Sequence, residues 1–389
     1  ANRRPRHYGA YDGQIHAGPA YTDNGFWDTH RTIMPWIAAT RPRFHGEMIE
    51  GFLNAYRESG WLPKWASPGH RDCMCSTHAD VVFADAIVRA VAGGPERAAF
   101  DVREAYAAIR KNAFEPGLPD GRCGRVGLAE YQRLGYVPCD TIAYSVCRTL
   151  DFAYCDASIA RAAEALGHHD DARVLRKRAQ NYRHIWDPSV GFMRGRHADG
   201  SWRNALHREG FDEFEWGGPY IEGGPWQHSW TVPHDPDGLA ELCEGGDELR
   251  RRVVAMLDLP PSFTVGHYPG EIHEMSEMAR VDFGQYAHSN QPAHGILWQV
   301  AAVGGADAVS PIIHRVCREL YRPTPDGLAG DEDNGEMSAW FLWACLGRYP
   351  LFPAAGRYAY APPFASSMSI TPDDGGDPIQ IHAAAPARV

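Results

Sequence analysis

Two apolar-periodic stretches, 145–166 and 171–186, are separated only by a short turn, and this pairing constrains the fold more than any other feature. The first repeats apolar residues at the i, i+3, i+4 spacing of one helix face and stops at Gly167, a suitable helix terminator. A turn this short forces the two helices to run antiparallel, side by side. Further helical patterns cover 45–59, 77–92, 97–113, 227–245, 246–258, 274–281, 292–303, 307–321 and 337–347, and another follows Thr22 or Asp23. Residues 1–20 and 131–138 read as irregular chain and loop, and the part beyond Leu351 reads as short strands around 368–370 and 379–381. Long Gly/Pro/Trp segments, not short connectors, lie between the helix pairs. Loops beyond ~12–15 residues are usually functional or disordered, and the aromatic content here favours function. The pattern is that of a closed ring of helical hairpins with elaborated loops on one face.

Charge and composition narrow the partners. At 389 residues the chain can form two or three domains or one large helical barrel. A net charge of −11 without a basic run argues against a nucleic-acid partner. No apolar run approaches the ~18 residues of a membrane span. The start, Ala1 to Arg6, has no apolar secretion segment. Nine cysteines lack zinc spacing, and Cys73 and Cys75 are too close for a CxxC ligand pair, so cysteine does not fix the compartment. Twelve tryptophans, seventeen tyrosines and nineteen histidines include several set among Gly, Pro and Asp in loops. Ring faces stacking on sugar C–H surfaces are one use for such loops; core packing is the other.

Four loop segments can carry chemistry. Gly330 to Trp340 places Asp331, Glu332 and Asp333 in a row ahead of an apolar helix. Such a cluster can bind a cation, cap the helix or act as a base. The glycine and glutamate positions of a helix-loop-helix calcium site are not met. Glu222 lies among glycines and aromatics in Tyr220 to Trp230. A dry site would raise its pKa, as a general acid requires, although a helix-start glutamate explains the lone motif as well. In Glu271 to Met278, His273 and Glu277 are four apart and share a helix face, without the second histidine of a zinc protease. Tyr286 to His294 offers amides and imidazoles to a hard cation or a sugar.

Taken together, EGGPWQ around Glu222, VPHD at 232–235, His273-Glu274, SNQP at 289–292 and GDEDNGEMSAW at 330–340 resemble glycoside hydrolase family 92. YTDxxxWDxxR at 21–31 and GYVP at 135–138 match in order too, so the resemblance spans about residues 8–352. These enzymes are calcium-dependent, inverting, exo-acting α-mannosidases. The resemblance implies an all-α (α/α)6 barrel over 1–350 with a short C-terminal β extension at 351–389. It makes Glu222 the general acid, and Asp331 and Asp333 the pair that activates water on the opposite ring face. Trp27 and Asp28 resemble the mannose-holding pair, Trp226 stands beside the acid as a further sugar contact, and His273-Glu274 resembles the pair that grips the sugar beyond an α-1,2 bond. Calcium would be held around Glu277, Asn290 and Gln291; Gln291 stands where many members have Glu. The implied substrates are mannose-containing glycans, and the implied location is secreted or periplasmic. Family members usually carry an N-terminal β-sandwich before the barrel, which is expected to be absent from this chain. Another mannosidic linkage, including a mannosyl phosphodiester, is the alternative within the family. A carbohydrate-binding barrel without turnover is the alternative outside it.

Overall fold

The paired stretches fold as the helices Ser145–Ala165 and His169–Arg178, the second continuing into a 3-10 turn at Asn181–Ile185. In this computed structural model, residues 5–94, 98–373, 375 and 377–382 are described. Ser145–Ala165 is buried over most of its length, because Ala79–Gly93 packs on one side of it and His169–Arg178 on the other. Ala79–Gly93 in turn packs against Val102–Phe114, whose first N–H groups, at Arg103 and Glu104, donate to the Asp101 carboxylate. That cap starts the helix at 102; the expected start at Arg97 lies outside the described residues. Later pairs repeat the arrangement. Pro236–Leu242 packs on Gly246–Ala255, and Ile296–Val300 and Glu336–Cys345 both pack on Ala306–Glu319. The fold is therefore helix-rich, with its strands confined to two-stranded sheets among the described residues.

Two large buried apolar clusters, with two small ones beside them, fill the interior among the described residues. One gathers Phe26, Phe52, Phe83, Ile109 and Tyr154 from the first half of the chain. The other gathers Trp230, Trp298, Tyr286 and Trp340 from the second half. The strand Arg348–Phe352 feeds both, since Phe352 joins the first cluster and Tyr349 and Leu351 join the second. Between the early helices Arg125, fully buried, reaches Asp80 at 3.0 Å and Asp156 at 2.6 Å, and Arg178 reaches Asp156 at 3.0 Å. Buried charges persist only when paired in this way.

Four expectations differ from the structure. The helix expected over 227–245 is two short ones, Pro225–His228 and Pro236–Leu242, parted at 229–235, where Pro233 and Pro236 interrupt the helical hydrogen bonding. Residues 131–138 were expected as loop, but Leu128–Leu134 is a helix that buries Leu128 and Tyr131. The irregular start contains a hairpin, Arg6–Tyr8 against Ile15–Ala17. No stretch was expected to reach membrane-spanning length, yet the helical run Gln291–Glu319 has the length and apolar composition to do so. More than half of its apolar window, 56%, is buried inside the protein, and Val303 and Gly304 break its helical geometry, so it is a core segment. The expected C-terminal strands pair as Ser367–Ile370 against Ile379–His382.

Candidate active site

Two loops widely separated in sequence each hold a carboxylate on left-handed backbone. Glu222 has φ +47° and Asp333 φ +56°, a region that side-chain-bearing residues enter rarely and often at functional sites. The turn Ser289 to Ala293 joins them. Asn290 Nδ2 donates to the backbone oxygen of Glu222 at 3.0 Å and to its carboxylate at 3.2 Å. The next residue, Gln291, donates from Nε2 to the carboxylate of Asp333. Two consecutive amides thus hold two acids that lie 111 positions apart (333 − 222). The turn is fixed because Asn290 Oδ1 accepts the Gln291 N–H at 3.0 Å and Pro292 follows.

The electrostatics separate the acids. Burial raises the Glu222 carboxyl to about 7, with Glu274 and Asp333 adding to the shift and the Asn290 bond opposing it. Burial also raises Asp333, against the Gln291 bond, with Asp331 and Glu336 adding. Asp28, buried at 3% exposure, is pushed well above the usual range by burial and then by Asp333. Of the acidic row, Glu332 does the capping: it accepts from Gly335 N at 2.5 Å and from Ser338 N and Oγ at 3.2 and 2.8 Å. Asp331 is exposed and acts electrically on His273 and Glu277. The structure thus ties Asp333 to Glu222 and Asp331 to the 273–277 helix.

The remaining expected residues divide in the same way. His273 Nε2 lies 3.0 Å from Glu274 and its Nδ1 3.2 Å from Glu277, on the expected shared face, with the imidazole exposed. Trp27 is buried, its carbonyl accepting from Arg31 Nε at 3.1 Å and its ring lying 5.0 Å under that guanidinium. Trp226 packs edge-on against Phe192 at 4.8 Å, and its indole N–H is buried with no partner among the described residues.

For a cation, the expected ligands offer oxygens. Glu277 Oε2 and Glu274 Oε2 are buried without partners. Glu277 Oε2 and the Ser289 carbonyl both press on Gly330, where a Cβ would collide. Asn290 Oδ1 keeps one lone pair beyond the Gln291 N–H. An all-oxygen set with orphaned carboxylate atoms fits a hard cation such as calcium.

No motif pointed to Cys147 or Tyr268, which hold the backbone at Ile221 and Glu222. The Ile221 peptide is held from both sides: its N–H donates to Cys147 Sγ at 3.3 Å, and its carbonyl accepts from His228 Nε2 at 2.8 Å. His228 Nδ1 lies 3.3 Å from the same sulfur. Burial pushes the Cys147 thiol up, but the Cys75 thiol and His228 against it leave it lowered. Tyr268 Oη accepts the N–H of Glu222 at 2.7 Å. Cys147 and Tyr268 lie 74 and 46 positions from the residues they hold, too far for a motif to reveal, whereas His228 shares the segment of Glu222.

The sequence model described as the glycosyl hydrolase family 92 catalytic domain matches residues 1–388. A family GH92 inverting mannosidase from Bacteroides thetaiotaomicron is similar in structure, with a TM-score of 0.83 at 37% identity over 96% of this chain and 49% of its own. A family GH92 α-mannosidase from the same organism, solved in complex with mannoimidazole, gives 0.81 at 29% identity over 96% and 47%. An uncharacterized secreted glycosidase of Arthroderma benhamiae is 25% identical over 355 residues, 82% of this chain and 41% of that protein. The chain spans about half the length of these relatives or less.

Proposed function

Because this chain belongs to glycosyl hydrolase family 92, we propose that it hydrolyses terminal α-1,2-linked mannose with inversion, on an (α/α)6 barrel with a short C-terminal β extension. The repeated helix pairs support the barrel, and the Asn290–Gln291 bridge between Glu222 and Asp333 carries the chemistry. Inversion needs an acid on one side of the glycosidic carbon and a base on the other, about 6.5–9.5 Å apart with water between. Glu222, raised to about 7, keeps its proton near neutrality and gives it to the leaving oxygen. Asp333, with Asp331 beside it in the chain, takes a proton from the attacking water. Trp27, Asp28 and Trp226 line the mannose that is cut off. Glu277, Asn290 and Gln291 would hold calcium, which when bound supplies positive charge to sugar hydroxyls. The similarity to a secreted glycosidase of Arthroderma benhamiae supports a secreted or periplasmic location.

The test is hydrolysis of α-1,2-mannobiose followed by proton NMR. β-Mannose should appear first and mutarotate later; α-mannose appearing first would overturn inversion, and binding without release would leave a carbohydrate-binding barrel. The linkage rests on His273, which is exposed and braced by Glu274 and Glu277. A hydrogen bond to a charged group is worth about 1.5–3 kcal/mol. His273→Ala should therefore cost about 10–100-fold in kcat/KM on the mannobiose, and far less on an aryl mannoside. Equal losses would move this helix out of the leaving-sugar site.

Cys147 is expected to be a positioning residue. Cys147→Ala removes the acceptor for the Ile221 N–H and frees the peptide that sets Glu222. A fall of about tenfold in kcat with KM nearly constant is expected, a fraction of one charged hydrogen bond reaching the transition state. Cys147→Ser, which keeps an acceptor, should recover part of it. A pH profile unchanged in shape with no rescue by serine would make the residue simple packing.

A further inference from the structure

The N-terminal hairpin carries a separate cluster of ionisable groups. His7 stands directly opposite His16 in the strand register, so both imidazoles leave one face, their ring centroids 5.8 Å apart. Asp12, in the turn between the strands, reaches His16 Nε2 at 2.9 Å. Glu58, near the end of the helix Pro42–Ser59, reaches His7 Nε2 at 2.6 Å. Ligand-type atoms of Asp12, His16 and Glu58 all lie within 4.8 Å of one another. Neither carboxylate has a lysine or arginine partner among the described residues.

Two details set this cluster apart from a surface ion pair. His7 Nδ1 lies 3.0 Å from the Gly18 carbonyl, which can only accept, so Nδ1 carries a proton. Nε2 then faces a carboxylate oxygen 2.6 Å away, and the positive charge between them is supplied either by a second ring proton or by a metal ion. The second detail is Gly9. A Cβ there would sit 2.6 Å from Asp12 Oδ1, 2.8 Å from Glu58 Oε2 and 2.9 Å from His16 Cδ2, so three groups converge on space that only glycine leaves open.

We propose that His7, Asp12, His16 and Glu58 form a four-coordinate site for zinc or a similar divalent transition metal, which fastens the hairpin to the helix Pro42–Ser59. Two imidazole nitrogens and two carboxylate oxygens suit such ions, whereas calcium takes oxygens alone. Metal–ligand distances of about 2.0–2.2 Å place tetrahedral ligand atoms roughly 3.3–3.5 Å apart. The two close pairs, at 2.6 and 2.9 Å, open by about 0.4–0.9 Å on binding, and the wider separations within the 4.8 Å group close. The Gly18 carbonyl fixes the His7 tautomer, as partners of metal-bound histidines do.

The test uses tag-free protein stripped by chelator and dialysed against zinc or cobalt. One equivalent of zinc should remain, cobalt should give the visible absorption of a four-coordinate ion, and zinc should raise Tm. His16→Ala should weaken zinc binding by more than the about 10–100-fold typical of losing a supporting partner. Asp12→Asn, on the exposed turn, should do likewise and covers disturbance of the hairpin by the histidine change. Asp333→Asn should keep the metal, which separates this site from the sugar site. No retained zinc, or binding unchanged in both hairpin variants, overturns the proposal.

Discussion

Glu222→Gln is expected to lower kcat/KM on ordinary mannosides by about 10²–10⁴-fold, the usual worth of one general acid. Most of this should return on a dinitrophenyl mannoside, whose leaving group departs without a proton. Asp333→Asn should lose a similar factor and recover nothing, since water still needs a base. If both variants respond alike to the leaving group, the two roles are wrongly divided. The pH profile checks the same assignment. Glu222 must be protonated, so kcat/KM should fall as pH rises through about 7. Asp333 must be ionised, and its raised pKa brings the acidic limb above the ordinary aspartate range. Glu222→Gln should erase the alkaline limb alone. Stability moves in a defined direction too. The folded protein binds the Glu222 proton more tightly than the unfolded chain, whose value is 4.5, so this stabilising contribution is full below 4.5 and lost as pH rises through about 7. Above that value the buried charge is a cost, and Glu222→Gln should raise Tm there.

Chelation is the second large effect. EDTA is expected to abolish mannoside hydrolysis and calcium to restore it, while zinc does not, because an all-oxygen set favours a hard ion. Glu277→Gln should raise the calcium concentration needed for half-maximal rate, since it removes the charge of a carboxylate whose Oε2 is buried without a partner. Full activity in chelator would remove calcium from the reaction. Calcium-stimulated activity that Glu277→Gln leaves unchanged would place the ion elsewhere.

The helix pairs were legible because their apolar residues repeat with the helical period over many turns, as at 145–165 and 79–93. Apart from the expected pair at 367–370 and 379–382, the small sheets were not, because strands of two to five residues carry too few alternations to read. Leu128–Leu134 was hidden by its length of seven residues, its core contacts being made through Leu128 and Tyr131. In the acidic row, composition could not say which carboxylate caps: Glu332 turns to Gly335 and Ser338 while Asp333 faces Gln291. His7 and His16 looked like irregular chain, since only strand register places them opposite each other. Cys75 and Cys147 were counted for zinc spacing, yet Cys147 serves the backbone beside Glu222.

The amide bridge also bears on motion. Loops fluctuate more than the elements they connect, and two loops moving independently would vary the gap between the two carboxylates. Here both carboxylates hang from neighbouring residues of one proline-stiffened turn, Asn290 and Gln291. A displacement of that turn carries Glu222 and Asp333 together, so their separation changes less than either position does. The turn works as a gauge: thermal drift becomes a shared translation of the two carboxylates.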